Sequence, residues 1–183
     1  MREPEIIYLH FVLDDWFEKI VKKETYGYSG MVRYADDVVA CFRYKNEAEK
    51  FLRSVKKRLA KFGLEISEEK TKILEFGRNA MNNRKIRKQS KPETFNFLGF
   101  TFYCSTSKTG KFRVKCITDK KKLRAKVQES KVWIKKRMHC KVSETIKLLN
   151  IKLMGHYRYY GITDNTKGIR QYYQIVLYCY TRH

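Results

Sequence analysis

Two adjacent carboxylates, Asp36 and Asp37, stand between two apolar, β-branched runs, and this stretch constrains the chain more than any other. Met31-Val32-Arg33-Tyr34 leads in, and Val38-Val39-Ala40-Cys41-Phe42 leads out. Runs of this composition around a short turn read as the two strands of a hairpin. Ala35-Asp36-Asp37 is then the tip, held on stiff backbone. Adjacent carboxylates repel, so a hard divalent cation holds them most easily. Mg²⁺ takes oxygen ligands, commonly one or two carboxylates together with substrate phosphates. Two such ions about 4 Å apart suit phosphoryl transfer. The local alternative is that Asp-Asp sits in the turn because Asp tolerates turn geometry.

Charge is the second signal. Residues 1–76 carry 15 Lys+Arg against 14 Asp+Glu, whereas residues 77–183 carry 26 against 5. Such an asymmetry points to a polyanionic partner. Nucleic acid fits better than an anionic membrane, since no segment sets a clean apolar face against a purely basic one. No apolar run approaches the ~20 residues of a membrane span, and the first residues lack a signal-peptide pattern. The five cysteines (41, 104, 116, 140 and 179) show no C-x-x-C spacing. That argues against zinc and for reduced thiols in a cytoplasmic compartment. The 13 Tyr, 11 Phe and 2 Trp are those of a folded chain, with one moderate core or two small ones.

Taken in order, residues 6–23 are helical by period, with Ile6, Leu9, Leu13, Trp16, Phe17, Ile20 and Val21 on one face. Asp14 and Asp15 read as helix-surface acids, because neighbours on a helix point about 100° apart. Asn46 is the expected N-cap of an amphipathic helix over 47–62, closed by Gly63. Short strands are expected at Leu64–Ile66 and Thr71–Phe76. Residues 77–93, with Arg78, Arg84, Lys85, Arg87, Lys88 and Lys91, read as a basic loop. The alternation from Phe95 to Phe102 reads as one strand, with 111–117 as its hairpin partner. From Thr118 onward the chain reads as three helices, capped at Asp119, near Ser143-Glu144, and at Asn165 or Thr166. Lys120, Lys121, Lys122 and Arg124 give the first of them a basic outer face.

Several of these segments, in this order, resemble the group II intron-encoded reverse transcriptase/maturase family. Tyr34-Ala35-Asp36-Asp37 is similar to its Tyr-x-Asp-Asp box in the Ala variant. Residues 7–18 look like the helix ahead of that box. Gly63-Leu64-x-Ile66-Ser67-x-x-Lys70-Thr71 resembles a Gly-Leu-x-x-Asn-x-x-Lys-Thr segment, with Ser67 in place of Asn. Phe97-Leu98-Gly99-Phe100 resembles the Phe-Leu-Gly box, and residues 155–161 resemble a thumb (maturase X) segment.

The resemblance implies an α+β chain: a partial antiparallel polymerase palm over 1–117, with helices on one face, then an all-helical thumb over 118–183. It implies RNA-directed DNA synthesis with Asp36 and Asp37 as Mg²⁺ ligands. Lys70 would act on the leaving pyrophosphate or be a solvated turn lysine. RNA and a DNA primer would lie against Tyr34, Phe97, Leu98, Gly99, Arg84, Lys85, Arg87, Lys88, Lys120, Lys121, Lys122 and Arg124. His156 has no partner pattern that would make it catalytic. The family also uses a third acid and a fingers region upstream of the helix that begins near Ile6. The expectation is therefore a truncated polymerase, inactive alone, whose open palm edge takes a partner chain or a second copy. The rival expectation is an RNA-binding maturase module that makes no bonds.

Overall fold

The computed structural model describes residues 7–182. Ile6, expected on the apolar face of the first helix, lies outside them. The chain forms two compact units, Met1–Glu75 and Phe76–His183. The fold class is α+β, with small antiparallel sheets among helices.

The first unit starts with helix α1 over residues 7–24, followed by strands β1 (Ser29–Tyr34) and β2 (Asp37–Phe42) and helix α2 (Lys45–Lys61). Two turns of α1, His10–Asp14 and Phe17–Val21, are π-helical. Each takes an extra residue per turn, so the apolar face no longer follows a 3.6 period. As a result Val12, which the simple period left out, is buried, and Ile20 is 47% exposed. Val12 and Leu13 pack on Val55 and Leu59 of α2, with Leu9, Trp16, Met31, Phe51 and Leu52 around them. The Arg58 side chain donates to the Val12 carbonyl inside the first π turn. Helix α2 begins at Lys45, after an extended Tyr44, and not at an Asn46 cap. Glu47 points back instead, accepting from the Tyr26 N–H at 2.7 Å. Gly63 (φ 70°) closes the helix as expected, with Leu64 N–H returning to the Leu59 carbonyl at 3.0 Å. No strand forms at 64–66 or 71–76, which run as irregular chain. Their alternation has no partner strand among the described residues to pair with.

The second unit contains helix α3 (Arg78–Ile86), strands β3 (Phe95–Phe97), β4 (Phe100–Thr106) and β5 (Phe112–Thr118), and helices α4 (Lys120–Lys135), α5 (Val142–Tyr160) and α6 (Thr166–Thr181). The basic segment read as a loop thus contains a helix, anchored by buried Ala80. The run from Phe95 to Phe102 is two strands, broken at Leu98-Gly99. Both turn residues have positive φ, 49° and 75°. That is the backbone that lets a two-residue hairpin follow the twist of its strands. The core gathers Ile134 of α4, Leu149 and Leu153 of α5, and Tyr172 and Val176 of α6.

Asn165 links three elements of this unit. It is fully buried; its Oδ1 accepts from the Thr118 N–H at 2.9 Å. Its Nδ2 donates to Thr118 Oγ1 at 2.6 Å and to the Tyr160 carbonyl at 2.8 Å. Asn165 does open α6 from the N-cap position, as expected, but its side chain makes no capping bond and serves as a cross-link instead. Asp119 does cap α4, accepting from the N–H groups of Lys121 (2.7 Å) and Lys122 (2.9 Å).

Candidate active-site hairpin and basic surfaces

The carboxylate pair sits at the tip of an antiparallel ribbon in which Val32 faces Val39 and Tyr34 faces Asp37. Residues opposite one another share a face of the sheet. Ser29, Met31 and Arg33 with Val38, Ala40 and Phe42 form the inner face. Phe42 packs there on Phe17 and Phe51, with ring centroids 6.1 and 5.1 Å away. Val32, Tyr34, Asp37, Val39 and Cys41 form the outer face, and Tyr34 is 64% exposed on it. Asp37 is thus the first residue of β2, while Asp36 lies in the two-residue turn after Ala35. Ala35 has φ 58°, a left-handed backbone that costs a non-glycine residue on the order of 1–2 kcal/mol.

Both carboxylates are exposed and point at no described cationic side chain within ion-pair distance. Two free carboxylates on adjacent residues suit a hydrated hard cation, which needs only one or two protein oxygens. Among the described residues, no group of three or more His, Cys, Asp or Glu side chains gathers in a metal-binding arrangement.

Asp14 lies on the helix surface as expected, but it is tied to the hairpin. Arg33 donates to it twice, Nε to Oδ1 at 2.8 Å and Nη2 to Oδ2 at 2.6 Å. The guanidinium lowers the Asp14 pKa below the usual carboxylate range, and His10 adds to the effect. Asp15 is held by Lys19, which lowers its pKa in the same way. The contact from Arg33 to Asp14 spans 19 residues, and nothing in local pattern signals it.

Lys70 lies in the same unit, exposed, on a turn closed by the Lys70 and Thr71 N–H groups on the Ser67 carbonyl. Phe97, Leu98, Gly99 and Phe100 belong to the second unit. There the Tyr159 hydroxyl donates to the Leu98 carbonyl at 2.9 Å, and the Tyr159 ring stacks on Phe100 at 5.8 Å. Tyr159 and Tyr160 thus buttress the hairpin turn, while Tyr157 packs against the helical core. Of the basic candidates, Arg84 and Lys85 lie on α3 and Arg87 and Lys88 just beyond it. Arg84 is half-buried, donating to the Lys91 carbonyl at 3.3 Å and facing Glu93 at 3.7 Å. Lys120, Lys121, Lys122 and Arg124 all lie exposed on the first turns of α4.

A family model described as reverse transcriptase (RNA-dependent DNA polymerase) matches residues 6–102, more than half of the chain. The chain belongs to the reverse transcriptase family. The match takes in α1, the Asp36–Asp37 hairpin, α2, the Lys70 turn and the Leu98-Gly99 hairpin. No curated protein and no solved structure matches this reverse transcriptase chain. Membership implies nucleic acid binding. No described helix is long and apolar enough to cross a membrane.

Proposed function

We propose that this chain supplies the carboxylate-bearing hairpin and the nucleic-acid grip of a group II intron-type RNA-directed DNA polymerase. The observation that carries the proposal is the pair Asp36–Asp37, exposed on a braced hairpin within a reverse transcriptase match. The group II assignment is supported by the Ala form of the Tyr34–Asp37 box and by the 155–161 segment. In this reading residues through 117 serve as palm and the helices from Thr118 serve as thumb.

Asp36 and Asp37 would be the Mg²⁺ ligands of this chain. Bound Mg²⁺ supplies charge neutralisation at the transferring phosphoryl group. The chain's own residues do the rest: the hairpin holds two oxygens apart from any competing cation, and Tyr34 presents an open ring beside Asp37. Lys70, exposed and on a mobile-length side chain, would neutralise charge on the departing pyrophosphate. A further carboxylate would come from outside residues 7–182. The isolated chain would then bind Mg²⁺ weakly, extend no primer, and associate through the open palm edge with a partner chain or a second copy.

A second reading is a maturase module that binds intron RNA without making bonds. The 26-to-5 charge imbalance of residues 77–183 favours it. Primer extension on an RNA template and an RNA-binding titration, with light scattering on the same sample, test the two. RNA binding and self-association without extension are expected of the isolated chain. Extension by a strict monomer would overturn the need for a further carboxylate, and absence of RNA binding would overturn both readings.

A further inference from the structure

Arg33 does more than pair with an acid. Its side chain is 10% exposed on the inner face of the hairpin, and it spends three N–H groups in fixed directions. Nε and Nη2 hold Asp14 on α1, and Nη1 donates to the Ala35 carbonyl at 2.9 Å. The Ala35 carbonyl and the Asp36 N–H share one planar peptide. Holding that carbonyl therefore fixes the plane from which Asp36 departs. Ala35 is also the residue with φ 58°, so the turn is strained and needs an outside hold to persist. Asp14 is itself anchored: it lies at the end of the π turn whose Val12 carbonyl accepts from Arg58 of α2. A continuous line of contacts thus runs from α2 through the π turn and Arg33 to the carboxylate-bearing tip.

We propose that Arg33, braced by Asp14, is a positioning residue that sets the direction of the Asp36–Asp37 pair for cation binding. The proposal rests on the reading of that pair as metal ligands. A simple fold-stabilising ion pair would need only the two bonds to Asp14. The third bond, to the turn itself, is what couples the pair to the site. Arg is suited to this because its planar fork spans two acceptors at once, which a single ammonium does not.

Electrostatics and positioning act in opposite directions here. Removing the guanidinium leaves Asp14 as an added negative charge near the tip, which by Coulomb attraction alone would tighten cation binding. If Arg33 positions the ligands, its removal weakens binding in spite of that. The test is an Mn²⁺ titration of the ¹⁵N-labelled full chain, following paramagnetic broadening of the Asp36, Asp37 and Val38 amide signals. The amide shifts of Val32 and Val39 report whether the hairpin remains paired. In the wild-type chain these tip signals broaden selectively, and Asp36→Asn abolishes the effect. Arg33→Met then needs about tenfold more Mn²⁺ for equal broadening, with Arg33→Lys in between. Arg33→Met with a paired hairpin and unchanged or tighter Mn²⁺ binding overturns the proposal. If Arg33→Met unpairs the hairpin, Arg33→Lys decides: wild-type affinity in a paired hairpin overturns the proposal, and weakened affinity supports it. Absence of tip broadening in the wild-type chain, or its survival in Asp36→Asn, overturns the metal reading and the proposal with it.

Discussion

His156 makes the second unit sensitive to acid. It is 5% exposed on α5, and neither ring nitrogen finds a hydrogen-bond partner among the described residues. Tyr172 of α6 lies 3.9 Å away between ring centroids, and Tyr160 lies 4.7 Å away. Burial pushes the imidazole down from 6.5 to about 4, and the Lys126 charge on α4 adds to the shift. The folded state therefore keeps this histidine neutral where the unfolded chain would protonate it. The stability this confers is complete above pH 6.5 and is lost as pH falls toward 4. With 1.36 kcal/mol for each pKa unit, the loss is about 2 kcal/mol by pH 5 and about 3 kcal/mol by pH 4. His156→Phe keeps the ring and removes the titrating nitrogens. Urea unfolding at pH 7, 6 and 5 measures the effect. Trp133 packs against this core, so its fluorescence in a Trp16→Phe background follows this unit alone. The difference in stability between the two chains should move by about 2 kcal/mol in favour of Phe between pH 7 and 5. Carboxylates common to both cancel in that difference. Equal pH dependence in the two chains would refute the reasoning.

Two further outcomes follow from the structure. Asn165→Ala removes three side-chain hydrogen bonds and leaves the Thr118 N–H buried without a partner, so urea unfolding should show a loss of about 2–4 kcal/mol in the second unit. RNA affinity should fall on the order of 10³-fold between 50 and 200 mM salt, and replacing Lys120, Lys121 and Lys122 with Ala should reduce the log–log salt slope by up to about 3 in filter binding.

The hairpin was legible from sequence because two β-branched runs and a turn-tolerant acid pair agree at every level: pattern, propensity and turn chemistry. The helices after Thr118 were legible for the same reason, and so was the fold class. What local pattern missed has identifiable causes. The π turns of α1 change the period, which moved Ile20 out and Val12 in. The strands read at 64–66 and 71–76 had the right alternation but no partner, and alternation alone does not make a sheet. In the Phe95–Phe102 run, hydrophobic alternation masked the turn, although Gly99 was the signal that could have revealed it. Helix α3 is polar and Asn-rich, so its propensity is weak and its burial of Ala80 decides the matter.

For the site, sequence located the two carboxylates but not what holds them. Arg33 reads in a strand pattern as an ordinary polar residue, and Asp14 as an ordinary helix acid. Their pairing depends on how α1 lies under the hairpin, which is tertiary information. The same holds for Asn165, which opens α6 as its residue type suggests, while the cross-link that its side chain makes to Thr118 and Tyr160 is tertiary.

The central claim is that Asp36 and Asp37 hold the metal for RNA-templated DNA synthesis. The most direct measurement joins this chain to the fingers and first palm strand of a reverse transcriptase. It then compares primer extension on an RNA template, with and without Mg²⁺, for the wild-type hairpin and for Asp36→Asn. The account predicts Mg²⁺-dependent extension that Asp36→Asn abolishes, with RNA binding unchanged because no phosphate contact is lost. Undiminished extension by Asp36→Asn would contradict it.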